Sequence, residues 1–112
     1  MSIGKFDYFA PQTLDEATEL LRKVGPRAKV MAGGTDLMVK MRFRAITPEV
    51  VISIKEIKGL DSITVDSQKG LTIGAMALLS DVAAHPDIIA HYPAIASAAG
   101  DTANVQVRNQ GT

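Results

Sequence analysis

The chain contains no cysteine, which excludes disulfides, thiolate nucleophiles and iron–sulfur ligation from within it. It also lacks a charge imbalance. Twelve basic residues face twelve acidic ones, so there is no electrostatic drive toward nucleic acid or an anionic membrane surface. No apolar run approaches the roughly 20 residues of a membrane-spanning helix, and the N-terminus carries no signal-peptide apolar stretch. The expectation is a cytoplasmic protein without membrane insertion. Internal repeats and low-complexity segments are missing too. What is present is an ordinary globular composition, 46% apolar over 112 residues, suited to one small domain with a modest core.

The stretch Lys29-Val30-Met31-Ala32-Gly33-Gly34-Thr35-Asp36-Leu37 organises the rest. A short apolar run of strand length breaks at two glycines. It restarts ahead of Leu37, Met38 and Met41, which follow helical spacing. Glycine permits positive φ and lets a ligand approach the backbone. Thr35 is a natural N-cap, and amides at the start of a helix point toward such a turn. A corner of this kind favours an anion, typically a phosphate, although Gly-Gly before a helix also serves as plain punctuation. No Gly-Lys-Ser/Thr follows and the G-x-G-x-x-G spacing is absent, so the stretch is neither a P-loop nor a Rossmann fingerprint.

Upstream, Phe6-Asp7-Tyr8-Phe9-Ala10-Pro11 reads as an extended lead-in whose aromatics anchor onto a core. Thr13-Leu14-Asp15-Glu16 is a capping box, with Glu16 reaching back to the cap amide. Leu14, Ala17, Leu20, Leu21 and Val24 share a helix face until Gly25-Pro26 ends it. The helix after the glycines spans about residues 36–43, and its Lys40, Arg42 and Arg44 read as a solvated basic run. Val50-Val51-Ile52-Ser53-Ile54 then suits a buried parallel strand, completing a right-handed crossover.

Beyond Lys58-Gly59 the pattern changes. Ile63-Thr64-Val65 and Leu71-Thr72-Ile73 alternate apolar with polar and predict an antiparallel hairpin. Short helices follow, capped by Ser80-Asp81 and opened by Pro86 and Pro93, the last alanine-rich. His85 and His91 have no accompanying ligand set and read as surface or satisfied histidines. The chain closes on Val105-Gln106-Val107-Arg108-Asn109-Gln110-Gly111-Thr112, read as an apolar strand leading into a second Gly-Thr pair.

In this order and spacing, F-x-Y-F-x-P, the capping-box helix, A-G-G-T-D-L, L-T-I-G-A and V-R-N-Q-G-T resemble one family over the whole chain. It is the FAD-binding (medium) subunit of the molybdenum hydroxylases, the relatives of carbon monoxide dehydrogenase, xanthine dehydrogenase, and aldehyde or hydroxybenzoyl-CoA reductase. The resemblance implies an α+β, PCMH-like, two-part FAD-binding domain. A small α/β unit over residues 1–57 would precede an incomplete antiparallel-sheet unit with helices over residues 58–112, with FAD held between them. Ala32, Gly33, Gly34, Thr35 and Asp36 match the family's first FAD loop, around the pyrophosphate, flanked by Lys29, Val30, Met31 and Leu37. Gly111 and Thr112 match the start of the second loop, and Ala103 and Val107 fall where the family lines the flavin cleft.

By the same resemblance, the intact protein is a flavoprotein oxidoreductase subunit. It would pass electrons from iron–sulfur clusters through FAD to a terminal acceptor, beside a large molybdenum-cofactor subunit and a small 2Fe-2S subunit. No residue reads as a general acid, base, nucleophile or metal ligand. The family's second loop continues past Gly-Thr with an aliphatic residue, two glycines and an asparagine, whereas this sequence stops at Thr112. The expectation is therefore an N-terminal part of a flavin domain that binds FAD poorly alone, and whose hairpin edges favour an oligomer. A rival expectation is a truncated structural subunit that binds no FAD. A fainter one is a flavin reductase of cell-wall precursors, which the V-R-N-Q-G-T ending disfavours.

Overall fold

The computed structural model describes residues 3–112, and the chain divides into two compact units, Met1–Lys58 and Gly59–Thr112. Both combine helix and strand, giving an α+β protein with one small parallel sheet and one antiparallel pair. Among the described residues no helix is long and apolar enough to cross a membrane.

The first unit holds β1 (Asp7–Phe9), α1 (Leu14–Val24), a 3-10 turn (Gly25–Arg27), β2 (Ala28–Met31), α2 (Leu37–Arg42) and β3 (Val50–Ser53). The sheet order is β1-β3-β2, parallel throughout, with Tyr8 opposite Val51 and Val30 opposite Ile52. A central parallel strand is covered on both faces, so it needs an uninterrupted apolar run. Accordingly every residue of β3 is buried, Ile52 completely. Removing a side chain of that size from water contributes about 1.5–3 kcal/mol. Leu20, Leu21 and Val24 of α1 pack on Ala28, Val50 and Ile52, while Leu14, on the predicted face, stays exposed.

Three sequence expectations are corrected in this unit. The lead-in is a paired edge strand, and Tyr8 and Phe9 are exposed instead of anchored. Edge pairing supplies backbone hydrogen bonds without burying either ring. The capping box is offset: Thr13 Oγ1 accepts from the Glu16 amide at 3.1 Å, but the Glu16 carboxylate accepts from Gln12 N at 3.0 Å, one residue before the cap. The third correction is at α2, whose N-cap is Asp36, not Thr35. Asp36 makes no side-chain cap bond because its carboxylate pairs with Lys40 Nζ at 3.0 Å.

The second unit holds β4 (Ile63–Asp66), β5 (Gly70–Ile73), α3 (Leu79–Ala84), α4 (Pro86–His91), α5 (Pro93–Asp101) and α6 (Val105–Arg108). The hairpin is antiparallel, Ile63 opposite Ile73 and Asp66 opposite Gly70. Its turn is tied by Asp66 Oδ1, which accepts from the amides of Gln68 at 2.7 Å and Lys69 at 2.9 Å. Ile63, Val65 and Leu71 pack against a helical core of Ala77, Val82, Ile88, Ala96 and Ala99. The small residues of α5 allow close approach: a Cβ on Gly100 would lie 3.7 Å from Ala83 Cβ.

After β5 the chain returns so tightly that a Cβ on Gly74 would sit 2.0 Å from the Leu60 carbonyl oxygen. Flanking bonds hold this approach, Gly74 N to Ser62 O at 2.8 Å and Met76 N to Leu60 O at 2.7 Å. Two expectations fail in this unit. Ser80 and Asp81 lie inside α3, whose extended N-cap is Leu78. The predicted Val105–Val107 strand is helix α6, because Asn104 caps it through Oδ1, 2.9 Å from the Val107 amide. Two valines in a four-residue element set no period, and the local cap decides.

Candidate functional site

The first group of candidates forms one corner of the first unit. Lys29, Val30 and Met31 lie on edge strand β2, with Lys29 and Val30 exposed. Ala32, Gly33, Gly34 and Thr35 make the turn, each half-buried, and exposed Asp36 leads into Leu37, the first residue of α2. The turn hinges on Gly34, whose φ of +78° lies in the left-handed region that residues with a Cβ disfavour. An added Cβ there would press on Met31 Sδ at 3.3 Å and on Met38 Cγ at 3.5 Å.

The corner is thus a turn built of backbone, closed on one side by the Met31 and Met38 side chains. The Gly34 carbonyl accepts from Met38 N at 3.1 Å and the Asp36 carbonyl from Lys40 N at 3.0 Å, which fixes the turn to the helix. The Asp36 carboxylate is drawn toward Lys40, so the one acidic side chain of the corner is partnered by a cation. Backbone at close range, with its acidic side chain paired to a lysine, suits a phosphate-bearing group and offers no nucleophile or proton donor of its own.

The remaining candidates lie in one segment of the second unit. Ala103 is exposed and adopts φ +49°, uncommon for a residue with a Cβ. Val107, half-buried, offers its carbonyl to Gln110 N at 3.1 Å and to Gly111 N at 2.6 Å. Gly111 is buried, its carbonyl accepting from Leu79 N at 2.9 Å, whereas Thr112 is exposed. The two sets of candidates are therefore each assembled locally within their own unit.

Arg108 belongs with this second set. Its Nη1 donates to the Thr102 carbonyl at 2.9 Å and the Ala103 carbonyl at 3.4 Å. It sits in the V-R-N-Q-G-T string, but spacing alone gives no sign of a bond reaching back across α6. Elsewhere, hydrogen bonds hold two carboxyls below their ordinary range: Glu19 through Arg22, and Asp66 through the backbone amides of Lys69 and Gln68. His91 is exposed, but His85 is half-buried with Nδ1 unpartnered among the described residues, so it is not a satisfied histidine. No group of three or more His, Cys, Asp or Glu side chains placed to hold a metal occurs among those residues.

Residues 4–112 match the family described as "FAD binding domain in molybdopterin dehydrogenase". The chain is 41% identical to the nicotinate dehydrogenase FAD-subunit of Eubacterium barkeri over 109 residues, covering 96% of this chain and 36% of that protein. It is 39% identical to the carbon monoxide dehydrogenase medium chain of Hydrogenophaga pseudoflava over 108 residues, 96% of this chain and 37% of the relative. Among solved structures, carbon monoxide dehydrogenase from Hydrogenophaga pseudoflava superposes with a TM-score of 0.91 at 38% identity. The reconstituted CO dehydrogenase from Oligotropha carboxidovorans gives 0.94 at 32% identity. Each structural match covers all of this chain and 39% of the solved one.

Proposed function

The chain belongs to the family of FAD binding domains in molybdopterin dehydrogenases, and on that premise we propose that it holds the pyrophosphate of FAD in the corner from Ala32 to Asp36. The observation that carries this reading is the turn at Gly34, which is left-handed and so closely flanked by Met31 and Met38 that it takes a residue without a Cβ. Lys29, Val30, Met31 and Leu37 flank it. Ala103, Val107, Gly111 and Thr112 are the candidates of the second unit for the same cofactor. The units Met1–Lys58 and Gly59–Thr112 would be the two sub-domains of the flavin domain.

Bound FAD supplies a centre that exchanges electrons with both one- and two-electron partners. The chain's own contribution is to bind and orient. Gly33 and Gly34 would bring backbone to the phosphates, and Lys40 pairs with the Asp36 carboxylate. No side chain of the corner acts on a proton. The intact protein would be the flavin subunit of a cytoplasmic molybdenum hydroxylase, relaying electrons from a small 2Fe-2S subunit to a terminal acceptor, beside a large molybdenum-cofactor subunit. The names of the relatives, FAD-subunit and medium chain, support that division of labour.

Flavin fluorescence titration tests the central claim. Gly34→Val in protein carrying this sequence should weaken FAD binding by at least about tenfold while circular dichroism stays unchanged. Equal affinity of the variant and the parent would refute the assignment of the corner.

A further inference from the structure

We propose that Arg108 is a positioning residue: by bridging the Thr102 and Ala103 carbonyls it holds Ala103 left-handed and thereby places the Gly111-Thr112 corner. For its flavin consequence alone, the inference rests on the reading above. Its first observation is backbone strain at a residue that has a Cβ. Ala103 holds φ +49°, a conformation that persists only when its surroundings over-determine it.

The surroundings are identifiable. Upstream, α5 ends at Asp101 and is capped by Thr102, whose hydroxyl donates to the Ala98 carbonyl at 2.9 Å and whose amide donates to the Ala99 carbonyl at 3.4 Å. Downstream, Asn104 caps α6 through the Val107 amide, and the Val107 carbonyl receives Gly111 N at 2.6 Å. Ala103 is the link between these two fixed ends. The Arg108 guanidinium closes the link by donating to the carbonyls of the two peptides that flank Ala103.

A cation is well placed at that point, because the last carbonyls of a helix lack partners and carry partial negative charge. One guanidinium nitrogen, Nη1, serves both oxygens, and the rigid planar head loses less freedom in doing so than a lysine ammonium on its flexible stem. The direction of residues 109–112 then follows from α6, whose orientation Ala103 sets. Gly111 reaches the Leu79 amide at 2.9 Å only while this clamp is closed.

A double-mutant cycle with two readouts tests the clamp. Hydrogen exchange of the amides from Asn104 to Gly111, measured without FAD, should accelerate at least about tenfold in Arg108→Met. Arg108→Lys should fall between the variant and the parent. Ala103→Gly in the Arg108→Met background should restore most of the protection, because glycine takes positive φ without help. Unchanged exchange in Arg108→Met, or acceleration that Ala103→Gly fails to repair, would overturn the clamp, since general loss of packing is not repaired by glycine. FAD affinity should follow the same order, weakening about tenfold and then recovering. If FAD fails to bind a full-length parent protein that carries this sequence, the flavin reading falls, and the exchange data still decide the clamp.

Discussion

The two Gly-Thr corners share a dipeptide and little else in construction. In the first, the glycine makes the turn: Gly34 takes φ +78°, with the Met31 and Met38 side chains packed close beside it. In the second, Gly111 is absent from the positive-φ residues and the left-handed position falls instead on Ala103, well upstream. That choice costs roughly 1–2 kcal/mol. A hydrogen bond from a charged donor contributes about 1.5–3 kcal/mol, enough for Arg108 to offset it. The first corner is thus shaped by backbone freedom and the second by side chains acting on backbone. The shared dipeptide makes the two look alike, and only the dihedral angles separate them.

Glycine itself gives the largest test of that contrast. Gly74 is required for space, since the atom in its way is a backbone carbonyl oxygen that has no flexible end to move. Gly34 is required for φ, and the atoms near it belong to flexible methionine side chains. Urea denaturation should therefore show Gly74→Ala losing about 3 kcal/mol or more, against about 1–2 kcal/mol for Gly34→Ala. Equal losses would mean that the methionines around Gly34 are as unyielding as backbone.

The side-chain hold on the second corner is tested next. Asn104→Ala removes the cap of α6 and should cost about 1 kcal/mol. The same measurement on Thr13→Ala, which removes the cap of α1 far from either corner, sets the scale. Only the Asn104 variant should also loosen residues 105–111 in hydrogen exchange.

A third kind of corner, the hairpin turn, is held by a carboxylate and gives the smallest effect. The folded Asp66 carboxyl is held below its ordinary value of 3.8 by the amides of Lys69 and Gln68. A depressed pKa stabilises the fold above the unfolded value, and the contribution disappears as pH falls through the folded one. Melting temperatures of the parent and Asp66→Asn should differ at neutral pH and converge as pH drops from about 5 to about 2. A constant difference would assign the turn to something other than the ionised carboxylate.

How much of this is legible in the sequence depends on how many residues carry each signal. The Val50–Ile54 run announces a central parallel strand because both faces of β3 are buried. The alternation in Ile63–Val65 and Leu71–Ile73 announces the hairpin because one face packs on helices. β1 is legible only as extended backbone, since three exposed residues paired through backbone leave no pattern in side chains to show what they pair with. Thr35 looks like a cap until the Asp36–Lys40 pair is seen. At the candidate site the glycines mark the first corner directly. Arg108 is hidden because its partners are carbonyls, which every residue possesses.

The return of the chain past Leu60 has a consequence for how variation in this protein is read. At position 74 the usable alphabet has one letter, while Thr72 and Ala75, both exposed, sit beside it. Selection acting there would preserve a glycine generation after generation for reasons of room alone. Such a record would look, in any catalogue of tolerated changes, just like that of a glycine facing a cofactor. Gly74 and Gly34 would leave the same trace in descent while answering to different physical demands.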